Sequence, residues 1–219
     1  MSTQRKSPLL TWTHGDGDTP LLLLHERYQD PATMPAPPVP AGMRVIRVRS
    51  PRQQMAGIST LGYFWFLGPL QAPEPSTFGD GLHHLESLLL ELSFGPGKPA
   101  SVLVGSGEGG VMALVLATLW PELLAGVVSI DGPLPHNLAG FPIEPRVPLQ
   151  LPVLLIEHDR ELADSAQALS ALGARVQRHA AEAAPIRQAL DWAARHAAAL
   201  VPGTANGRAR TQATAAPRA

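Results

Sequence analysis

A chain of 219 residues, 45 % apolar and 16 % charged with a formal net charge of -1, can build one sizeable core. Its charge is too slight to capture nucleic acid or an acidic membrane, and its lack of cysteine excludes disulfides, thiolate nucleophiles and cysteine-ligated metals. The opening M-S-T-Q-R-K-S-P lacks the apolar stretch of a signal peptide, and no apolar run approaches the ~18 residues of a membrane span, so a soluble, cytoplasmic protein is expected.

Along the chain, P-L-L-T-W-T (8–13) and T-P-L-L-L-L-H (19–25) flank H-G-D-G-D and predict a hairpin. The proline-rich stretch 31–42 is unsuited to a helix interior and predicts a surface connection. M-R-V-I-R-V-R (43–49) alternates as a half-buried strand does. Residues 50–78, with the aromatic knot G-Y-F-W-F-L-G, predict a long, partly packed loop. Leucines at 82, 85, 88, 89 and 92 recur with helical spacing, predicting a helix over 81–92.

Further on, strand 101–105, helix 109–119 and strand 125–131 form a strand–helix–strand unit. Residues 133–152 are a second proline-laden excursion. Strand 152–159, helix 163–172, strand 174–179 and helix 185–200 complete the pattern. Strands alternating with helices, several of them uniformly apolar, predict an α/β fold with a mainly parallel sheet covered by helices on both faces. The expected organisation is one domain over 1–201 and a small, polar, basic and disordered tail over 202–219.

The turn G-S-G-E-G-G (105–110) between an apolar strand and an apolar helix admits two readings. Gly105, Gly107 and Gly110 satisfy G-x-G-x-x-G, and Asp131 stands about 20 residues on, where a dinucleotide enzyme places its ribose-binding carboxylate. The same run, Gly105-Ser106-Gly107-Glu108-Gly109, also fits the small-x-nucleophile-x-small pattern of a nucleophile elbow, with glycine in the nucleophile's place.

The flanking residues favour the second reading. V-L-V-G-S-G-E-G-G-V-M-A-L followed by W-P-E-L-L-A-G-V-V-S-I-D-G resembles the phospholipase/carboxylesterase branch of the α/β-hydrolases, which shows G-F-S-Q-G-G and then P-E-x-L-A-G-V-V. L-L-L-L-H-E (21–26) is similar to that family's L-H-G strand end, Y-F-W-F (63–66) to its W-F segment, and P-V-L-L-I-E-H-D-R-E (152–161) to its acid strand. The resemblance spans roughly residues 19–200.

That resemblance implies a serine, an acid and a histidine, in that chain order. Gly107 occupies the nucleophile position and cannot attack a carbonyl. An active hydrolase would have to use the adjacent Ser106. Glu161 matches the acid position, with Asp159 beside it. Counting back from Trp192 places the histidine at His179; counting forward from Gly173 lands on Ala183, Ala184 or Pro185, with no imidazole. Glu26 replaces a glycine of the oxyanion loop, and a carboxylate at 26 or 108 facing the pocket would repel an oxyanion. His25, Glu26, Trp65, Gly107 and Glu108 are the residues expected to border a ligand.

The expectation is therefore a carboxylesterase-like protein, degenerate at its nucleophile and serving as a small-ligand-binding or regulatory module. Two alternatives remain: an active ester hydrolase with Ser106, Glu161 and His179, and a dinucleotide-binding enzyme. No histidine pair has metal-ligand spacing, so neither a metal nor another cofactor is expected. A small acyl or ester-like ligand is the expected partner, and a protein partner or a homodimer is compatible with the sequence.

Overall fold

The computed structural model describes residues 9–141, 144–146 and 149–198; the expected tail over 202–219 lies outside the described residues. A seven-stranded sheet has the order β1-β3-β2-β6-β7-β8-β9. Its members are β1 (Leu10–His14), β2 (Thr19–Leu24), β3 (Met43–Arg49), β6 (Ser101–Ser106), β7 (Leu124–Ile130), β8 (Pro152–Glu157) and β9 (Arg175–Ala180). All neighbours run parallel except β1, which pairs antiparallel with β3. This is the expected α/β architecture.

Helices α1 (Pro75–Ser93), α2 (Glu108–Leu119), α3 (Ala163–Ala171) and α4 (Pro185–Ala198) cover the sheet. Alternation along the strands divides the core. Leu22, Leu24, Leu103 and Val127 pack with residues of α1, α2 and α3, whereas Leu21, Leu23, Val104 and Ile156 pack with α4. In α2 every residue from Glu108 to Thr118 is buried, as suits a helix apolar all round. The start of α1 is set by Glu74, whose carboxylate accepts the Ser76 and Thr77 amides at 3.0 and 2.9 Å. Those bonds hold its pKa down at about 2.

Three sequence expectations are corrected. β1 and β2 do not form a hairpin, because both lie against β3. The run Leu21–Leu24 is buried throughout and needs a neighbour on each edge, which β3 and β6 supply; the more exposed β1 takes the rim. Residues 50–78 are not one loop: β4 (Arg52–Ala56) and β5 (Ser59–Phe64) form a two-stranded hairpin. The loop after β2 is stitched to that hairpin, Tyr28 N–H donating to Tyr63 O at 2.8 Å and Tyr63 N–H to Gln29 O at 3.2 Å. Third, β3 is mostly buried, and Arg47 on it is only 6 % exposed.

Candidate functional site

β6 ends at Ser106, the chain reverses at Gly107 and α2 begins at Glu108. Gly107 has φ 50° and ψ -114°, a conformation strained for an L-residue and open to glycine. The turn is held by Gly107 N–H donating to Ile130 O at 2.8 Å and by Val111 N–H donating to Gly107 O at 3.1 Å. The flanking glycines serve close packing. A methyl at Gly105 would collide with Gly109, one at Gly109 with the Leu24 carbonyl, and one at Gly110 with Ser129 Oγ.

That geometry corrects the dinucleotide reading. The glycines admit protein rather than a pyrophosphate. Asp131 is also engaged, its Oδ1 accepting the His158 and Asp159 amides at 2.8 and 3.1 Å.

At the tip, Glu26 takes the space a side chain would use. A Cβ on Gly107 would lie 2.9 Å from Glu26 Cγ and Oε1. Glu26 is placed there by its neighbour. The His25 ring is 3 % exposed, its Nδ1–H donates to Glu26 O at 2.7 Å, and Nε2 accepts the Ser50 amide at 3.0 Å. Both nitrogens are therefore served by one neutral tautomer. Burial lowers the His25 pKa to about 4.

Beneath the turn lies a second support. Glu108 is buried, accepts the Trp65 amide at 2.7 Å through Oε2, and pairs through Oε1 with Arg27 Nε. Arg27 also donates to the Phe66 and Gly68 carbonyls at 2.9 and 3.1 Å. Burial pushes the Glu108 pKa up, against the opposing pull of its hydrogen bonds and of Arg27. Trp65 is wholly buried, with Nε1–H donating to His25 O at 3.0 Å. Glu108 and Trp65 thus join α2 to the loop after β2 and to the segment after β5. As the first residue of α2, Glu108 keeps a backbone N–H with no intrahelical acceptor, one of the two donors an oxyanion site uses.

Two cavities meet at Ser106. One, of about 250 Å³, is polar and bordered by Glu26, Ser106, Gly107, Asp131, His158 and Asp159. The other, of about 270 Å³, lies under the proline-rich connection after β2. In the polar cleft His158 Nδ1 lies 3.0 Å from Asp159 Oδ2 and 4.0 Å from Asp131 Oδ2, and those carboxylates raise its pKa. Asp131, His158 and Asp159 offer ligand atoms within 4.8 Å of one another, the set a cation would use. Sequence spacing hides this group because β7 and β8 deliver its members from positions 27 and 28 apart.

Of the residues expected to border a ligand, Glu26 and Gly107 line the polar cleft and His25 lines the apolar cavity. Trp65 and Glu108 border neither. The triad Ser106–Glu161–His179 is not brought together. Glu161 is 80 % exposed, 3.7 Å from Arg178 Nη2. His179 lies within β9, in a row Ser106–Ile130–Ile156–His179 across four adjacent strands. Three strand spacings separate it from Ser106 by ~14 Å. A ladder residue cannot serve as the loop-borne imidazole of this design. Of the residues after β9, Ala184, Ile186 and Arg187 line the apolar cavity and Pro185 lines the polar cleft.

No protein-family model matches the chain, and no curated protein matches it in sequence. Solved structures do. Bacillus cereus carboxylesterase superposes with a TM-score of 0.65 at 16 % identity, over 89 % of this chain and 97 % of that one. Zea mays acyl-protein thioesterase 2 gives 0.61 at 17 %, over 86 % and 99 %. A phospholipase/carboxylesterase from Dyadobacter fermentans gives 0.57 at 12 %, over 85 % and 97 %. These likenesses establish the α/β-hydrolase fold, in the form the carboxylesterase and thioesterase structures take. Among the described residues, no helix is long and apolar enough to cross a membrane.

Proposed function

We propose that this chain is a carboxylesterase-like protein whose elbow has lost nucleophilic hydrolysis and that serves as a small-ligand-binding or regulatory module. The observation that carries this reading is the elbow tip. Gly107 keeps the nucleophile's backbone conformation without its attacking atom, and the Glu26 side chain occupies the space beside it. A covalent hydrolase needs a nucleophile, a base in hydrogen-bond reach and an oriented acid. Here Ser106 sits one residue before the tip, and neither Glu161 nor His179 reaches it.

The electrostatics point the same way. Glu26, Asp131 and Asp159 border one cleft. Their charge opposes an oxyanion, which hydrolysis must stabilise. The same cleft suits a neutral or polar ligand of acyl or ester type that is bound without being cleaved.

Incubation with a fluorophosphonate probe tests this directly. No covalent labelling of the protein is expected. Robust labelling at Ser106 that disappears in Ser106→Ala would overturn the reading and restore an active serine hydrolase.

A further inference from the structure

The second cavity contains an unbalanced charge. Arg47 lies on β3 opposite Leu23 of β2 and Trp12 of β1, and it is 94 % buried. Its Nη1 donates to Met34 O at 2.6 Å, while its buried Nε has no hydrogen-bond acceptor. Among the described residues no carboxylate lies within ion-pair distance of it. Three nearby arginines are matched, Arg27 with Glu108, Arg49 with Asp30 and Arg52 with Asp80, and Arg187 at the cavity is solvent-exposed. Removing a guanidinium from water is costly unless an anion and its hydrogen bonds compensate. A lone buried arginine therefore calls for an anion from outside the chain.

Arg47 borders the cavity of about 270 Å³, whose walls are chiefly hydrocarbon: Leu23, Pro31, Met34, Pro35 and Ile186. No aspartate or glutamate lines it. His25, which also borders it, is held neutral by burial. The cavity thus offers one buried positive charge at an apolar wall, with the exposed Arg187 as a second, solvated cation on its border, and the Arg47 guanidinium presents a planar fork of N–H donors that matches a carboxylate.

We propose that this cavity binds a monocarboxylate with a short hydrocarbon chain, its carboxylate on the Arg47 guanidinium and its chain against the proline-rich connection. A single carboxylate balances the single buried charge. A phosphate dianion would bring a second charge into apolar walls, and an alcohol would leave the guanidinium unpaired. The two cavities share only Ser106, so this site stands whether or not the elbow hydrolyses esters.

The test titrates the full chain by calorimetry with sodium hexanoate, hexan-1-ol and inorganic phosphate. Hexanoate is expected to bind at least tenfold more tightly than either of the others. In Arg47→Met, which keeps the side-chain length and removes the charge, hexanoate affinity falls at least tenfold and its advantage over hexanol disappears. Equal binding of hexanoate and hexanol by the unmodified chain, a preference for phosphate, or undiminished hexanoate binding by folded Arg47→Met would each overturn the proposal. If Arg47→Met does not fold, Met34→Trp supplies the decision by filling the cavity from the loop. Loss of hexanoate binding in that variant supports the site, and retained affinity refutes it.

Discussion

Lowering the pH from 8 to 5 should unfold this protein more readily through one imidazole. His25 uses both ring nitrogens in the neutral state, donating from Nδ1 to Glu26 O and accepting at Nε2 from the Ser50 amide. Protonating Nε2 would break the Ser50 bond and place a charge on a ring that is 3 % exposed. Burial is the main cause of the lowered pKa, about 4 against an ordinary 6.5; the Glu26 hydrogen bond and the Asp30 charge oppose it. Between those values the unfolded chain binds more protons than the folded one, so stability rises with pH. The contribution is complete above pH 6.5 and is lost as the pH falls to 4. At 1.36 kcal/mol per pKa unit, the loss is about 2 kcal/mol at pH 5 and about 3 kcal/mol below pH 4.

Urea unfolding at pH 8 and pH 5 measures this, with His25→Gln as the comparison because an amide keeps a donor and an acceptor without titrating in this range. The unmodified chain should lose about 2 kcal/mol more than the variant over that interval. Nitrogen-15 spectra of the ring should show the Nδ1–H tautomer persisting to pH 5. A ring that titrates near 6.5, or equal pH dependence in the two proteins, would refute the burial argument. The outcome bears on the site because His25 holds the Glu26 carbonyl and, through it, the segment that covers the elbow.

Gly107→Ser is expected to lose ~1–3 kcal/mol of stability, because serine must adopt the strained turn and displace Glu26. It should still fail to hydrolyse a short-chain aryl ester, since the expected base His179 is held in β9; efficient turnover would show that another imidazole, with His158 of the cleft the first to test, acts as the base. Glu108→Ala leaves the buried Trp65 amide without its acceptor and the half-buried Arg27 guanidinium without its carboxylate, and should cost about 1–3 kcal/mol in chemical denaturation. The double variant Arg27→Met with Glu108→Leu should recover most of that loss, and an equal loss would refute the pairing argument.

Several features were legible before any coordinates. The runs 21–24, 102–104 and 153–156 are uniformly apolar, which marks inner strands, and all of them are buried. The elbow was legible for the same local reason: Gly105, Gly107 and Gly109 lie within five residues, so their spacing survives without knowledge of the rest of the chain. The β4–β5 hairpin was not, because R-Q-Q-M-A carries no apolar alternation to mark a strand. His179 could be assigned to a strand end or a catalytic loop by counting alone, and only the ladder with Ile156 decides for the strand.

By itself, then, the sequence determined a mainly parallel α/β sheet and a glycine elbow without its nucleophile, since both are set by period and spacing along a few residues. Tertiary structure alone decided what surrounds that elbow. Glu26 meets Gly107 across 81 positions of chain, Asp131 receives the amides of His158 and Asp159 from the next strand, and Arg47 passes from a polar position in an alternating strand to an unpaired charge beneath a proline-rich loop. Burial and pairing depend on which distant segments converge, and hydrophobic period carries no record of that.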